Sequence, residues 1–94
     1  MIDVLLATTP DKSSIAAMTK KFVDPVRITH CLERASKFVT GAKVISARHV
    51  SLPLSHDPFS FAVCGELQLG DEGQADAAAL VLAHELRRAG FAVR

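Results

Sequence analysis

The chain opens on a short, unbroken apolar run, Val4 to Ala7, inside the segment Ile2 to Thr8. A run of that length reads as a strand buried on both faces rather than as a capped helix. Thr9, Pro10 and Asp11 then offer an N-cap, a proline at the first helical position and an acid in the first turn, and Ile15, Met18 and Phe22 recur on one helical face. Asp24 and Pro25 repeat that signal, so the pattern predicts two consecutive helices. In the second, Ile28, Cys31, Leu32, Ala35, Phe38 and Val39 share an arc of about 120°, the width of a core-facing stripe. Gly41 supplies a left-handed stop, which places this helix from Pro25 to Thr40.

From Ala42 to Leu54 the residues Val44, Ile45, Val50 and Leu52 favour extended structure, but Lys43, Arg48, His49 and Pro53 interrupt both faces, as on an edge strand. After a turn at His56, Asp57 and Pro58, alternation becomes regular. Phe59, Phe61, Val63, Gly65, Leu67 and Leu69 fall on one face of a predicted strand, with Ser60, Ala62, Cys64, Glu66 and Gln68 opposite. Gly70 to Gly73 form a loop, and an alanine-rich helix is predicted from Gln74 to Ala89, stopped by Gly90. Phe91 to Arg94 reads either as a short last strand or as the apolar contact that completes the helix cap.

This order predicts a single α+β domain spanning residues 1–94, a ferredoxin-like βαββαβ sandwich whose first helix is split at Asp24 and Pro25. Its first and third strands are expected at the centre of the sheet and its second and fourth at the edges. The alternative is a winged helix, with the segments after Pro10 and Pro25 as a helix-turn-helix and the following hairpin as the wing.

Composition narrows the function more than the fold. At 94 residues, 49% hydrophobic and 22% charged, the chain has room for one core. It contains no Trp and no Tyr, which leaves little for base stacking. The net charge of +1 hides an asymmetry: residues 1–50 carry eight Lys and Arg against four acids, residues 51–94 three against six. Cys31 and Cys64 in apolar contexts suit reduced, buried thiols in a cytoplasmic protein, and no signal peptide or membrane span is read.

Candidate chemistry is thin. His30, His49, His56, His84 and the two cysteines lack metal-ligand spacing, so no metal and no cofactor are predicted. Ser55, His56 and Asp57 are consecutive, and neighbouring side chains in a turn point apart, which does not build a relay. Gly70 and Gly73 enclose two acids that repel phosphate. No catalytic residue is assigned, and the protein is read as a non-enzyme.

Two stripes remain. On the helix from Pro25, the residues Arg27, His30, Arg34 and Lys37 form a basic stripe beside the apolar arc, suited to an acidic protein surface or to phosphates. On the last helix, Leu80 and Val81 project off the main apolar face, near Ala77, His84 and Arg88, which marks an oligomer interface. The resulting expectation is a small binding or regulatory module acting through protein–protein contacts and self-association. Its alternative is a winged-helix DNA binder, with Arg27 towards bases and Lys20 and Lys21 on phosphates.

Overall fold

A computed structural model describes residues 3–19, 25–45, 51–53 and 60–93. The elements are β1 (Asp3–Thr8), β2 (Ser14–Thr19), α1 (Pro25–Ser36), β3 (Lys43–Ile45), β4 (Ser51–Pro53), β5 (Ser60–Gln68), α2 (Ala75–Arg88) and β6 (Ala92–Val93), with one 3-10 turn (Glu72–Gln74) leading into α2. The strands form one mixed sheet of order β3-β5-β2-β1-β6, and β4 also pairs with β5. Among the described residues only the β1–β6 pair is parallel.

The first apolar run is the expected interior strand, hydrogen-bonded on both sides, but its neighbours are β2 and β6 and not the strand from Phe59 to Leu69. The helix expected after Pro10 is absent, because Thr9 to Ser13 form a hairpin turn and Ser14–Thr19 return as β2. Asp11 Oδ1 accepts from Thr9 Oγ1 at 2.8 Å, from Ser13 Oγ at 2.7 Å and from Ser13 N at 3.1 Å. Thr9 N donates to Ser14 O at 3.0 Å, and Lys12 takes the left-handed conformation (φ 57°) that closes the turn. Threonine, proline and aspartate serve a turn as well as a helix start, and here the side-chain bonds favour the turn.

The ferredoxin-like prediction is corrected accordingly. The split first helix becomes a hairpin and one helix, and β1 is an additional strand lying between β2 and β6. A helix-turn-helix would need a helix where β2 lies, so the winged-helix order is not the one found. The edge assignments hold, with β3 and β4 along one margin and β6 at the other.

A single layer of two helices covers one face of the sheet. Ile28, Leu32 and Ala35 of α1 and Ala78, Leu82 and Leu86 of α2 meet Val4, Ile15, Ala17 and Leu67 in one buried cluster. Each fully buried leucine or isoleucine there contributes about 1.5–3 kcal/mol. Met18 gathers Leu5, Ala7 and Ala16 into a separate apolar cluster, as strand alternation requires. The β2–β5 register shifts between Ala17 and Met18, pairing Ala17 with Gly65 but Met18 with Val63. Gly65, Leu67 and Leu69 are buried as expected, while Phe59 and the side chains of residues 60–64, where the rest of the predicted alternation falls, lie outside the described residues.

The helix from Pro25 stops at Ser36, earlier than Thr40. Ser36 Oγ donates to Glu33 O at 2.6 Å, and Phe38 N donates to Ala35 O at 3.0 Å, tightening the last turn. That change of pitch keeps Val39 buried but turns Phe38 outward, leaving it 70% exposed against the expectation that it packs in the core. Gly41 then adopts φ +79°, and a Cβ on Gly70 would meet Gly41 Cα at 3.3 Å, so the loops after α1 and β5 pass each other at glycines.

Candidate functional site

Neither stripe read from the sequence stands alone, because α1 and α2 pack side by side and bring both to one surface groove. One part, of about 350 Å³, lies against Arg27, His30, Cys31, Arg34, Glu85 and Arg88. A second, of about 430 Å³, lies against Phe38, Leu80, Val81, His84, Glu85 and Arg88. Lys37 joins Arg34 and Phe38 on a third stretch that again has Glu85 at its base. All four basic-stripe residues thus line the groove, as do Leu80, Val81, His84 and Arg88 of the second set. Ala77 is exposed on α2 but lines none of these stretches.

Glu85 was not singled out by the sequence, where it reads as one more polar residue near a helix end. Its side chain is 6% exposed, and Oε2 lies 3.1 Å from Arg34 Nε while Oε1 lies 3.8 Å from Arg88 NH1. A carboxylate that far from water needs cationic partners, and α1 and α2 supply one each. Position 85 lies ten residues after Ala75 on the flank of α2 that meets α1, a relation no periodicity within α2 reveals.

Arg27 has a second anchoring role. Its NH2 donates to Ala89 O at 3.3 Å, and its guanidinium carbon sits 4.8 Å from the centroid of the Phe91 ring. The side chain thereby satisfies a carbonyl at the α2 C-terminus, places a cation at the negative end of the helix dipole and stacks on an aromatic face. Cys31 is free and buried, and its Sγ donates to Glu85 O at 3.7 Å. Burial, followed by the charge of Glu85, pushes this thiol above its ordinary range.

Half of the basic stripe therefore clamps α1 to α2, through Arg27 and Arg34. His30 and Lys37 are exposed and make no side-chain hydrogen bond or ion pair with a described residue. Among the described residues lining the groove are four permanent cations, Arg27, Arg34, Lys37 and Arg88, against one carboxylate, Glu85. Phe38 (70% exposed) and Leu80 (72% exposed) rise beside it.

No group of three or more His, Cys, Asp or Glu suited to a metal occurs among the described residues. His49, His56 and the Ser55, His56, Asp57 triplet lie outside the described residues, as do Lys20 and Lys21 and the side chain of Cys64. Among the described residues no helix is long and apolar enough to cross a membrane. Compared with protein-family models, curated proteins and solved structures, the chain matches none of them.

Proposed function

We propose that the protein is a non-enzymatic binding module that docks an acidic, amphipathic segment of a protein partner along the α1–α2 groove. The observation that carries this reading is two large exposed apolar side chains, Phe38 and Leu80, beside a groove with four cations around one carboxylate. Exposed aromatics next to arginines are the residue types that dominate protein interfaces, and the excess positive charge selects an acidic counterpart. Self-association through this groove is disfavoured by the same charges, which a two-fold contact would set against one another. Nucleic acid is the second reading for the cations, but phosphate binding leaves Phe38 and Leu80 without a role. A reducing, cytoplasmic setting agrees with the free Cys31. Connectivity from β2 onward, strand, helix, strands, helix, strand, supports reading the fold as a ferredoxin-like unit extended by β1.

Fluorescence anisotropy with a labelled helical peptide, leucines on one face and glutamates beside them, tests the proposal. Binding is expected in the micromolar range and to weaken as salt rises. Phe38→Ser should weaken it about tenfold or more while leaving the melting temperature nearly unchanged, since the ring is mostly in water. Lys37→Glu should weaken the acidic peptide and spare a neutral peptide with the same leucine face. Duplex DNA bound more tightly than the peptide would overturn the reading, as would Phe38→Ser binding like the parent.

A further inference from the structure

The α1–α2 groove has two unlike ends. Arg27 reaches Ala89 and Arg34 reaches Glu85, while Phe38 shares a hollow with Leu80 and Val81, so α1 and α2 run antiparallel. Where α1 begins and α2 finishes, Arg27, His30 and Arg34 line the groove together with Arg88. At the other end stand Phe38, Leu80 and Val81. Arg88 follows Val81 by seven residues of α2, a helical rise of about 10 Å or two turns.

The guanidiniums of the first end are fixed in advance. Arg34 gives Nε to Glu85 Oε2 at 3.1 Å, and Arg88 turns NH1 to Oε1 of the same carboxylate at 3.8 Å. Arg27 gives NH2 to Ala89 O at 3.3 Å and stacks on Phe91. One nitrogen of each is thereby engaged. Their other N–H groups make no hydrogen bond or ion pair with a described residue, and the Arg34 and Arg88 side chains are each 58% exposed. Glu85 thus orders two arginines from the base of the groove and leaves their outer edges open to a ligand.

Three guanidiniums against one carboxylate leave a surplus of two positive charges around a hollow of about 350 Å³. A single carboxylate from a partner balances half of it. A phosphate monoester carries about −1.5 to −2 with three acceptor oxygens, which matches both the surplus and the number of guanidiniums.

Resting on the reading of this groove as a docking site for an amphipathic segment, we propose that its arginine end receives a phosphorylated serine or threonine of that segment, two helical turns from the apolar residue that meets Phe38 and Leu80. Phosphate stabilises a helix from its first turn, so the docked helix begins near Arg27 and runs parallel to α1. Nucleic acid presents phosphates as a continuous string, whereas these arginines are confined to one end beside exposed Phe38 and Leu80.

The probe is a labelled alanine-based helical peptide with phosphoserine in its first turn and leucine seven residues later. Counterparts carry serine or glutamate at the first position, or phosphoserine on the opposite helical face. Anisotropy with the full chain should show the phosphoserine peptide binding about tenfold tighter than the serine peptide and about threefold tighter than the glutamate peptide, with the gain lost when the phosphate is moved to the opposite face. Arg88→Gln, at a mostly exposed side chain, should shrink the ratio between phosphoserine and serine peptides about fivefold. Phe38→Ser should weaken every peptide and preserve that ratio. Glutamate and phosphoserine peptides binding equally well would overturn the phosphate site and leave the docking reading standing. A preserved ratio with Phe38→Ser binding like the parent would uphold phosphate recognition and overturn the docking reading instead. An unchanged ratio in Arg88→Gln would overturn the proposal, as would duplex DNA displacing the label at a lower phosphate concentration than unlabelled phosphopeptide.

Discussion

Removing Arg34 should expose how much the groove depends on its buried carboxylate. Arg34→Ala deletes the 3.1 Å contact to Glu85 and leaves only Arg88, at 3.8 Å, beside a side chain that is 6% exposed. Breaking a fully buried pair costs about 3–5 kcal/mol, and exposed pairs are worth about 0–1 kcal/mol. Arg34 itself is 58% exposed, so water can reach the guanidinium side of the pair and the cost belongs between those limits, at about 1.5–2 kcal/mol. For a domain of this size that is a fall of roughly 6–15 °C in melting temperature. With no Trp or Tyr to report, urea unfolding followed by far-UV circular dichroism is the suitable assay. Glu85→Leu removes the buried charge as well as its partner's purpose, so it should recover about 1 kcal/mol in the Arg34→Ala background. If Arg34→Ala changes stability by less than about 0.3 kcal/mol, or if the double variant is less stable than Arg34→Ala, the burial and pairing of Glu85 do not carry the weight given to them here.

Other consequences are more local. Gly41→Ala should cost about 1–2 kcal/mol in urea unfolding because of its φ of +79°, whereas Gly73→Ala should cost much less; equal effects would contradict the left-handed loop. Cys31 should alkylate far more slowly in the native protein than in urea. Its thiol is raised on folding, so its contribution to stability is complete below the unfolded value of about 8.5 and is lost as pH rises through the folded one, a decline that Cys31→Ala should flatten. Asp11 is held below its usual carboxylate range by the Ser13 and Thr9 hydroxyls and the Ser13 amide, so its contribution is present above about pH 3.9 and is lost as pH falls through the folded value; Asp11→Asn should make the acid limb of the stability profile shallower.

Strong periodicity was sufficient for β1, α1 and α2, because each buries one clear apolar pattern, and for the end of β5 where Gly65 and Leu67 are buried. It failed between Thr9 and Thr19, where the residue types of a helix start and of a turn coincide. Ile15 and Met18, three apart, mimic a helical stripe, while the alternation that defines β2 runs through alanines at 16 and 17 that carry little signal. Phe38 fell outside the pattern because extrapolating 100° per residue assumes the helix continues, and Ser36 ends it. Candidate residues of the groove were legible as two separate stripes. Their convergence was not, since it depends on α1 packing beside α2, and neither was Glu85, whose importance comes from Arg34 on the other helix.

Amide chemical-shift mapping with the acidic helical peptide tests the docking claim most directly. Shifts should cluster at Arg27, His30, Arg34, Lys37, Phe38, His84 and Arg88, saturate in the micromolar range and collapse in Phe38→Ser. Shifts scattered over the sheet, or a groove that stays silent while the peptide binds elsewhere, would contradict it.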